Sequence, residues 1–349
     1  MLGIIMAGGQ GSRLMPLTRS RPKPMVELLG RPVIDFVKDA MVQAGVSDII
    51  VTTGYHGSQL EQHVASWNRP GLNASVNQEA TPMGTAGSVG LLRDRINDTI
   101  IVGSGDAVAS FDIRALVEAH RTSGAKVTMA LWAVDDPSEF GIVGLSSTPD
   151  GEVDGALRSG YIRRFLEKPT PEEAFSNIIN AGLYILEPDV FEHVPVGQKF
   201  DFSKQLFPHL LAMEWPMFAQ TIDGVWFDVG QPNELLNAQA MLLEQREDLP
   251  FSLQEGAIVH ADSALANGVE VEGEVERSYL GTGCRVDAGA RVHGSLLMGG
   301  TTVPAGCIIT DSVIGTNVVL ATGTVLNACV VGDGERLEPA EFDGQRIPA

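Results

Sequence analysis

In the last third of the chain apolar residues return every six positions. Leu280, Val286, Val292 and Met298 form one series, Val313, Val319, Val325 and Val331 a second, and Val259, Leu265 and Val271 a shorter third. A six-residue repeat is the mark of a parallel β-helix, in which each repeat makes one flat face and three make a coil. The competing reading is a plain β-sandwich. Between Met298 and Val313 the repeat lapses, which predicts a bulge or loop there. Each coil buries its apolar face only against its neighbours, so the ends need caps or another subunit, and a homo-oligomer joined through this region is expected.

The N-terminal part reads differently. Short β-rich runs (Leu2 to Met6, Ile49 to Thr53, Thr99 to Val102, Val127 to Val134) alternate with amphipathic stretches (Val33 to Ala44, Ser58 to Ser66, Ile113 to Arg121). Strand and helix in alternation predict an α/β fold with a doubly wound, mostly parallel sheet. Such sheets place ligands in loops beyond the carboxyl ends of their strands. From Pro137 to Trp226 the pattern is less regular, with a hairpin-like turn at Asp150-Gly151 and β-rich runs at Tyr161 to Leu166 and Leu183 to Leu186, predicting inserted strands along one wall of a cleft. A closing helix is expected over Asn233 to Glu247, which sets domains of 1–248 and 249–349.

Composition narrows the partners. A formal charge of −20 over 349 residues opposes binding to nucleic acid or an anionic membrane, both of which need basic stripes. No apolar run approaches the roughly 20 residues of a membrane span, and the apolar start lacks a basic leader, so a cytoplasmic protein is expected. Cys284, Cys307 and Cys329 are too few and too scattered for a disulfide framework or zinc site and read as buried thiols. The seven histidines show no metal-ligand spacing. Trp132, Trp215 and Trp226 read as core.

The chemistry-bearing segment is Ala7-Gly8-Gly9-Gln10-Gly11-Ser12-Arg13-Leu14-Met15-Pro16-Leu17-Thr18, followed by Pro22-Lys23-Pro24-Met25. Glycines directly after a buried strand let the backbone turn tightly and gather N–H groups into one concavity, suited to a phosphate chain. Arg13 and Lys23 add fixed positive charge, and the flanking prolines stiffen the segment carrying Lys23. The segment lacks the Gly-Lys-Ser/Thr ending of the Walker loop and the third glycine of the dinucleotide fingerprint.

Taken together, Gly-Gly-x-Gly-x-Arg-Leu-x-Pro-Leu-Thr and Pro-Lys-Pro resemble the signature of the NDP-sugar pyrophosphorylases, the sugar-1-phosphate nucleotidyltransferases, over essentially the whole chain. Met15 departs from the basic or polar residue common there. The resemblance implies a Rossmann-like nucleotidyltransferase domain followed by a left-handed β-helix of hexapeptide repeats. It implies that Ala7, Gly8, Gly9, Gly11, Ser12, Arg13 and Lys23 bind the nucleotide, with Gln78, Gly84 and Thr85 of Gln78-Glu-Ala-Thr-Pro-Met-Gly-Thr-Ala-Gly87 reading its base. Gly141, Glu167, Lys168 and Asn180, from Glu139-Phe-Gly141, Glu167-Lys168-Pro169 and Asn180-Ala-Gly182, would take the sugar phosphate. Asp106 of Gly103-Ser-Gly-Asp106 and Asp228 of Trp226-Phe-Asp228 would bind metal.

The implied reaction needs positioning and charge neutralisation: a sugar phosphate oxygen attacks the α-phosphorus of a nucleoside triphosphate and pyrophosphate leaves in line. Mg²⁺ suits a pair of carboxylates with phosphate oxygens, and Arg13, Lys23 and Asp106 are the expected catalytic residues. The Gly-Thr-Ala-Gly run, the Ser176 to Leu186 segment and Phe200-Asp-Phe-Ser are most similar to the mannose-1-phosphate guanylyltransferases, implying GTP and mannose 1-phosphate. A glucose-1-phosphate thymidylyl- or uridylyltransferase, and a non-catalytic scaffold subunit of the same fold, are the alternatives.

Overall fold

The computed structural model describes residues 1–54, 57–110, 112–244, 258–260 and 262–348. Two compact units emerge: Met1–Gly9 with Phe36–Trp226, and Gln10–Asp35 with Phe227–Ala349. The expected boundary at 248/249 and the last turn of the expected closing helix lie outside the described residues; the helix itself runs over Pro232–Glu244.

The first unit is built on a nine-stranded sheet in the order Asn73–Gln78, Asp48–Thr53, Leu2–Met6, Ile100–Ser104, Ile178–Leu186, Val127–Ala133, Met217–Thr221, Ser159–Glu167, Gly141–Ser146. The first four are mutually parallel. Ile178–Leu186 runs antiparallel to both of its principal neighbours. The strand Leu2–Met6 lies at the centre of the parallel half with Ile4 and Ile5 wholly buried, which is why it reads as a continuous apolar run. The turn expected at Asp150-Gly151 lies in the connection between two antiparallel strands, Gly141–Ser146 and Ser159–Glu167.

The second unit carries the β-helix. Its strands stack in three parallel faces, one of seven and two of five strands; only the first strand of the seven is antiparallel. From Leu280 to Val331 the coil repeats every seventeen residues, Leu280 pairing with Leu297, Leu297 with Ile314, and Ile314 with Val331, whereas Leu265 pairs with Leu280 and Val331 with Ile347 over shorter coils at the two ends. Val286 above Val303 and Val292 above Ile309 and Leu326 form the other two inward columns. These side chains make one continuous apolar core.

Two expectations are corrected here. The repeat does not lapse after Met298, because Val303 and Ile309 continue it from Leu297, and short strands Thr302–Val303 and Ile308–Thr310 occupy the span. In the second series the inward residues are Ile314, Leu320 and Leu326, while Val319 is 45% exposed. In the third series Val271 is 39% exposed. In the second series the cause is the seventeen-residue coil: one side in three is a residue short, so a strict count of six slips out of phase. Val271 keeps register with the inward Val286, and its exposure goes with its place on the first strand of its face.

The short corner has a specific build. Arg277, Gly294, Asp311 and Ala328, one per coil, all take a positive φ between 45° and 56°. Each is followed by a buried Ser278, Ser295, Ser312 or Cys329. The hydroxyl of each serine accepts the N–H of the next residue in that column, at 3.0–3.1 Å for Ser278 to Ser295, Ser295 to Ser312 and Ser312 to Cys329. Backbone N–H groups turned inward at the corner thus find acceptors without water. Cys284, Cys307 and Cys329 are buried and free, and burial pushes the Cys284 thiol upward.

Candidate active site

In the first unit Ala7, Gly8, Gly9, Gln78 and Asp106 lie at or just beyond the carboxyl ends of parallel strands. Leu2–Met6 and Ile100–Ser104 are neighbours in register, Met6 opposite Ser104. Ala7-Gly8-Gly9 and Gly105-Asp106 therefore leave the sheet side by side, tied by the Gly105 N–H to the Met6 carbonyl at 2.9 Å. A side chain at Gly105 would stand 3.0 Å from that carbonyl, which explains the glycine before Asp106. Asp106 is half-buried and accepts a hydrogen bond from Ser104.

The segment expected to read a base is braced from two sides. Glu79, 8% exposed, accepts the Met83 N–H at 3.0 Å and the Ser88 hydroxyl. Gly84 opens the helix Gly84–Gly90 with φ 73°, and a Cβ there would meet the Phe200 carbonyl at 2.7 Å. The Thr85 N–H is given to Asp201 Oδ1 at 3.1 Å, and the Thr85 hydroxyl accepts the Phe202 N–H at 2.9 Å. Gln78 ends its strand exposed. Thr85 thus holds the segment 200–202 in this structure, and both it and Gln78 are exposed.

The third cluster surrounds Glu167. Gly141 lies opposite Glu167 in register, and a Cβ at Gly141 would be 2.8 Å from Glu167 Oε2 and 2.7 Å from Phe165 Cζ. Burial raises the Glu167 carboxyl above its ordinary range, against the pull of Lys168 and Lys204. Lys168, with φ 47°, sets its Nζ 3.0 Å from Glu139 Oε2, both half-exposed. Asn180 sits at a bulge in its strand; its Nδ2 donates to Tyr184 Oη at 2.9 Å and Ser203 Oγ at 3.2 Å, and its Oδ1 accepts the Gly182 N–H. Burial pushes the Tyr184 phenol well above its ordinary value. Trp226 is buried and donates to the Ala181 carbonyl at 2.8 Å, whereas Trp132 and Trp215 are half-buried.

The second unit carries Arg13 and Lys23. Gly11 has φ 65°, and a Cβ there would collide with Lys23 Cβ at 2.8 Å, so Lys23 packs directly against the glycine turn. Thr18 closes the loop by donating to the Gly11 carbonyl at 2.8 Å. Lys23 is 7% exposed, and its Nζ is 3.5 Å from Asp228 Oδ1. Ser12 and Arg13 are exposed at the head of the turn. A Cβ at Gly230 would be 3.0 Å from Arg13 Nη2 and 3.3 Å from both Asp228 Oδ2 and Glu234 Oε2, so Arg13 shares this position with two carboxylates. Burial and the neighbouring Asp228 raise the Glu234 carboxyl.

Three residues were not foreseen: Glu234 beside Arg13, Asp201 beneath Thr85, and Lys204 near Glu167. Each is a single polar residue in an amphipathic stretch, without a local motif. Asp106 belongs to the first unit and Asp228 to the second. Among the described residues no group of three or more His, Cys, Asp or Glu side chains gathers as a metal cage.

Residues 2–245 match the family described as Nucleotidyl transferase, and residues 251–340 match the family described as GlmU-like, C-terminal hexapeptide. Similar curated proteins include the mannose-1-phosphate guanylyltransferase catalytic subunit beta of Xenopus tropicalis, 33% identical over 73% of this chain and 69% of its own length. A probable mannose-1-phosphate guanylyltransferase 1 of rice is 29% identical over 84% of this chain and 80% of its own. The mannose-1-phosphate guanyltransferase of Saccharomyces cerevisiae is 32% identical over 76% of this chain and 71% of its own. A crystal structure from Bacillus anthracis, assigned as a glucose-1-phosphate thymidylyltransferase and solved with sucrose, superposes with a TM-score of 0.61 at 25% identity, covering 72% of this chain and 98% of that one. No helix among the described residues is long and apolar enough to cross a membrane.

Proposed function

Because the chain belongs to the nucleotidyl transferase family, we propose that it joins GTP to mannose 1-phosphate, forming GDP-mannose and pyrophosphate. The observation that carries the substrate choice is that relatives from frog, rice and yeast are all mannose-1-phosphate guanylyltransferases. Exposed Arg13 and Lys168, with buried Lys23, support the reaction class.

In this reading Arg13 forks onto the triphosphate oxygens as pyrophosphate departs, and buried Lys23 supplies a point charge with little freedom left to lose. Lys168 takes the sugar phosphate. Its present bond to Glu139 is between half-exposed groups, a pairing worth about 0–1 kcal/mol, so an incoming phosphate displaces it at small cost. A sugar phosphate oxygen then bonds to the α-phosphorus as the bond to pyrophosphate breaks in line. Gln78 reads the base; Gly84 and Thr85 shape its pocket. Glu167 and Asn180, anchored as described, position the sugar.

Enzymes of this family typically use a divalent metal. The donors on offer, Asp106 and Asp228, are hard carboxylates with no thiolate or imidazole among them, which fits Mg²⁺, and Asp228 already faces a cation in Lys23. When bound, the ion would neutralise phosphate charge. Assembly of copies through the β-helix belongs to the same reading, supported by the hexapeptide match.

Nucleoside triphosphates assayed against sugar 1-phosphates with Mg²⁺, scored by pyrophosphate release, test this. GTP with mannose 1-phosphate is expected to be fastest, and Asp106→Ala to lower turnover at least ~100-fold in a folded chain. Preference for dTTP or UTP with glucose 1-phosphate overturns the substrates; no turnover with any pair overturns the enzyme.

A further inference from the structure

The loop that carries Arg13 is fastened from behind by the last coils of the β-helix. Arg346, on the final strand, donates from Nη1 to the carbonyls of Arg13 and Met15 at 2.6 and 2.7 Å. These carbonyls lie at the end of the single turn Ser12–Leu14, where helical geometry leaves acceptors without a partner and a cation is favoured. One coil earlier, Asp333 receives Arg21 Nη2 at 2.6 Å and the Ser20 hydroxyl, and its Oδ1 accepts the Thr316 N–H at 2.7 Å. Arg21 reaches on to Thr316 Oγ1 at 3.2 Å. Pro16 fills the space where a Cβ on Gly332 would stand, 3.2 Å away.

These anchors come from neighbouring strands of one β-helix face, Val313–Thr316, Val330–Val331 and Arg346–Ile347, or directly follow them. They meet the loop on both sides of Leu14 and Leu17, two wholly buried residues. Burial works to raise the Asp333 carboxyl, yet the bonds from Arg21 and Ser20 outweigh it and keep it below the ordinary carboxylate range. The contacts are therefore ionic and directional, aimed at the backbone and side chains of the phosphate loop rather than at ligand.

We infer that Arg346 and Asp333 are positioning residues for the nucleotide loop, so that the C-terminal coils of the β-helix set the placement of Arg13. The inference rests on the reading above for what the loop binds, but not for how it is held. Two measurements on the full-length chain test it. Hydrogen–deuterium exchange of residues 10–22 reads the fastening without any substrate, and Arg346→Ala and Asp333→Asn are each expected to raise it. Steady-state kinetics read the consequence: KM for the nucleoside triphosphate rises about tenfold while KM for the sugar phosphate stays within about twofold, and Arg346→Lys recovers part of the loss. Unchanged exchange in both variants overturns the inference, as does faster exchange with both KM values unmoved, or with both raised alike. Should Arg346→Ala fail to fold, Arg346→Lys and Asp333→Asn carry the same comparison. A wild-type chain that turns over no substrate pair sinks the proposed function, while the exchange result still decides whether the coils hold the loop.

Discussion

Lys23 Nζ stands 3.5 Å from Asp228 Oδ1, joining residues that are 205 positions apart in the chain. Lys23 is nearly buried, so its ammonium is held by surroundings that solvent cannot easily replace. Replacing Lys23 by Ala is expected to cut kcat/KM at least ~100-fold, because both the charge offered to phosphate and the partner of a part-buried carboxylate are lost. Steady-state pyrophosphate release checks this. Lys23→Arg is expected to recover little, since the wider, planar guanidinium does not take the place of the nearly buried ammonium beside Asp228.

Gly141→Ala separates the two substrates. The added methyl meets Glu167 Oε2 and the Phe165 ring at under 3 Å, and must push Glu167 aside. KM for the sugar phosphate is expected to rise about tenfold with KM for the triphosphate little changed. Equal effects on both would remove Glu167 from the sugar side.

Glu167 also predicts a pH dependence. Burial raises its carboxyl above the ordinary 4.5, more than Lys168 and Lys204 lower it. The folded chain therefore binds this proton more tightly than the unfolded chain, and its contribution to stability is full below 4.5 and declines as pH rises to the raised folded value. Glu167→Gln removes the decline, so its melting temperature, compared with wild type, should gain more at neutral pH than at pH 4. A constant difference across the range contradicts this.

Much of this molecule is legible in its residues, for identifiable reasons. The glycine turn is visible because Gly11 has no substitute: its backbone conformation and its contact with Lys23 both forbid a side chain. The β-helix is visible because columns such as Leu280, Leu297, Ile314 and Val331 repeat one requirement in every coil. Its phase is less visible. The residue missing at each short corner falls at a positive φ met by Gly294 but also by Arg277, Asp311 and Ala328, and the serines that follow it repeat at seventeen rather than six, so a count of six does not find them. The loop's anchors leave no local trace either. Arg346 and Arg13 are 333 positions apart, and neither Arg346 nor Asp333 stands in a motif. Asp201 and Glu234 were missed for the same reason: an acidic residue becomes informative only when the fold brings Thr85 or Arg13 to it.

The serine column offers a test of stability alone. Ser295→Ala removes the acceptor of the Ser312 N–H, which is wholly buried. An unpaired buried N–H costs about 1–3 kcal/mol, so urea unfolding should shift by that amount with kcat unchanged for the protein that remains folded. A neutral result would mean that the corner N–H groups find other acceptors.

A seventeen-residue coil makes the β-helix a ruler with fixed graduations. Its length changes only in whole coils, each advancing the tip by ~4.8 Å, the spacing of neighbouring strands. Duplicating or deleting one coil ahead of Asp333 would leave every inward column intact, and the rod would fold as well as before. It would also carry Arg346 a full strand spacing away from carbonyls it now meets at 2.6 and 2.7 Å, further than any hydrogen bond spans. A coil added or removed there is therefore expected to cost the loop its Arg346 anchor while leaving the rod itself folded.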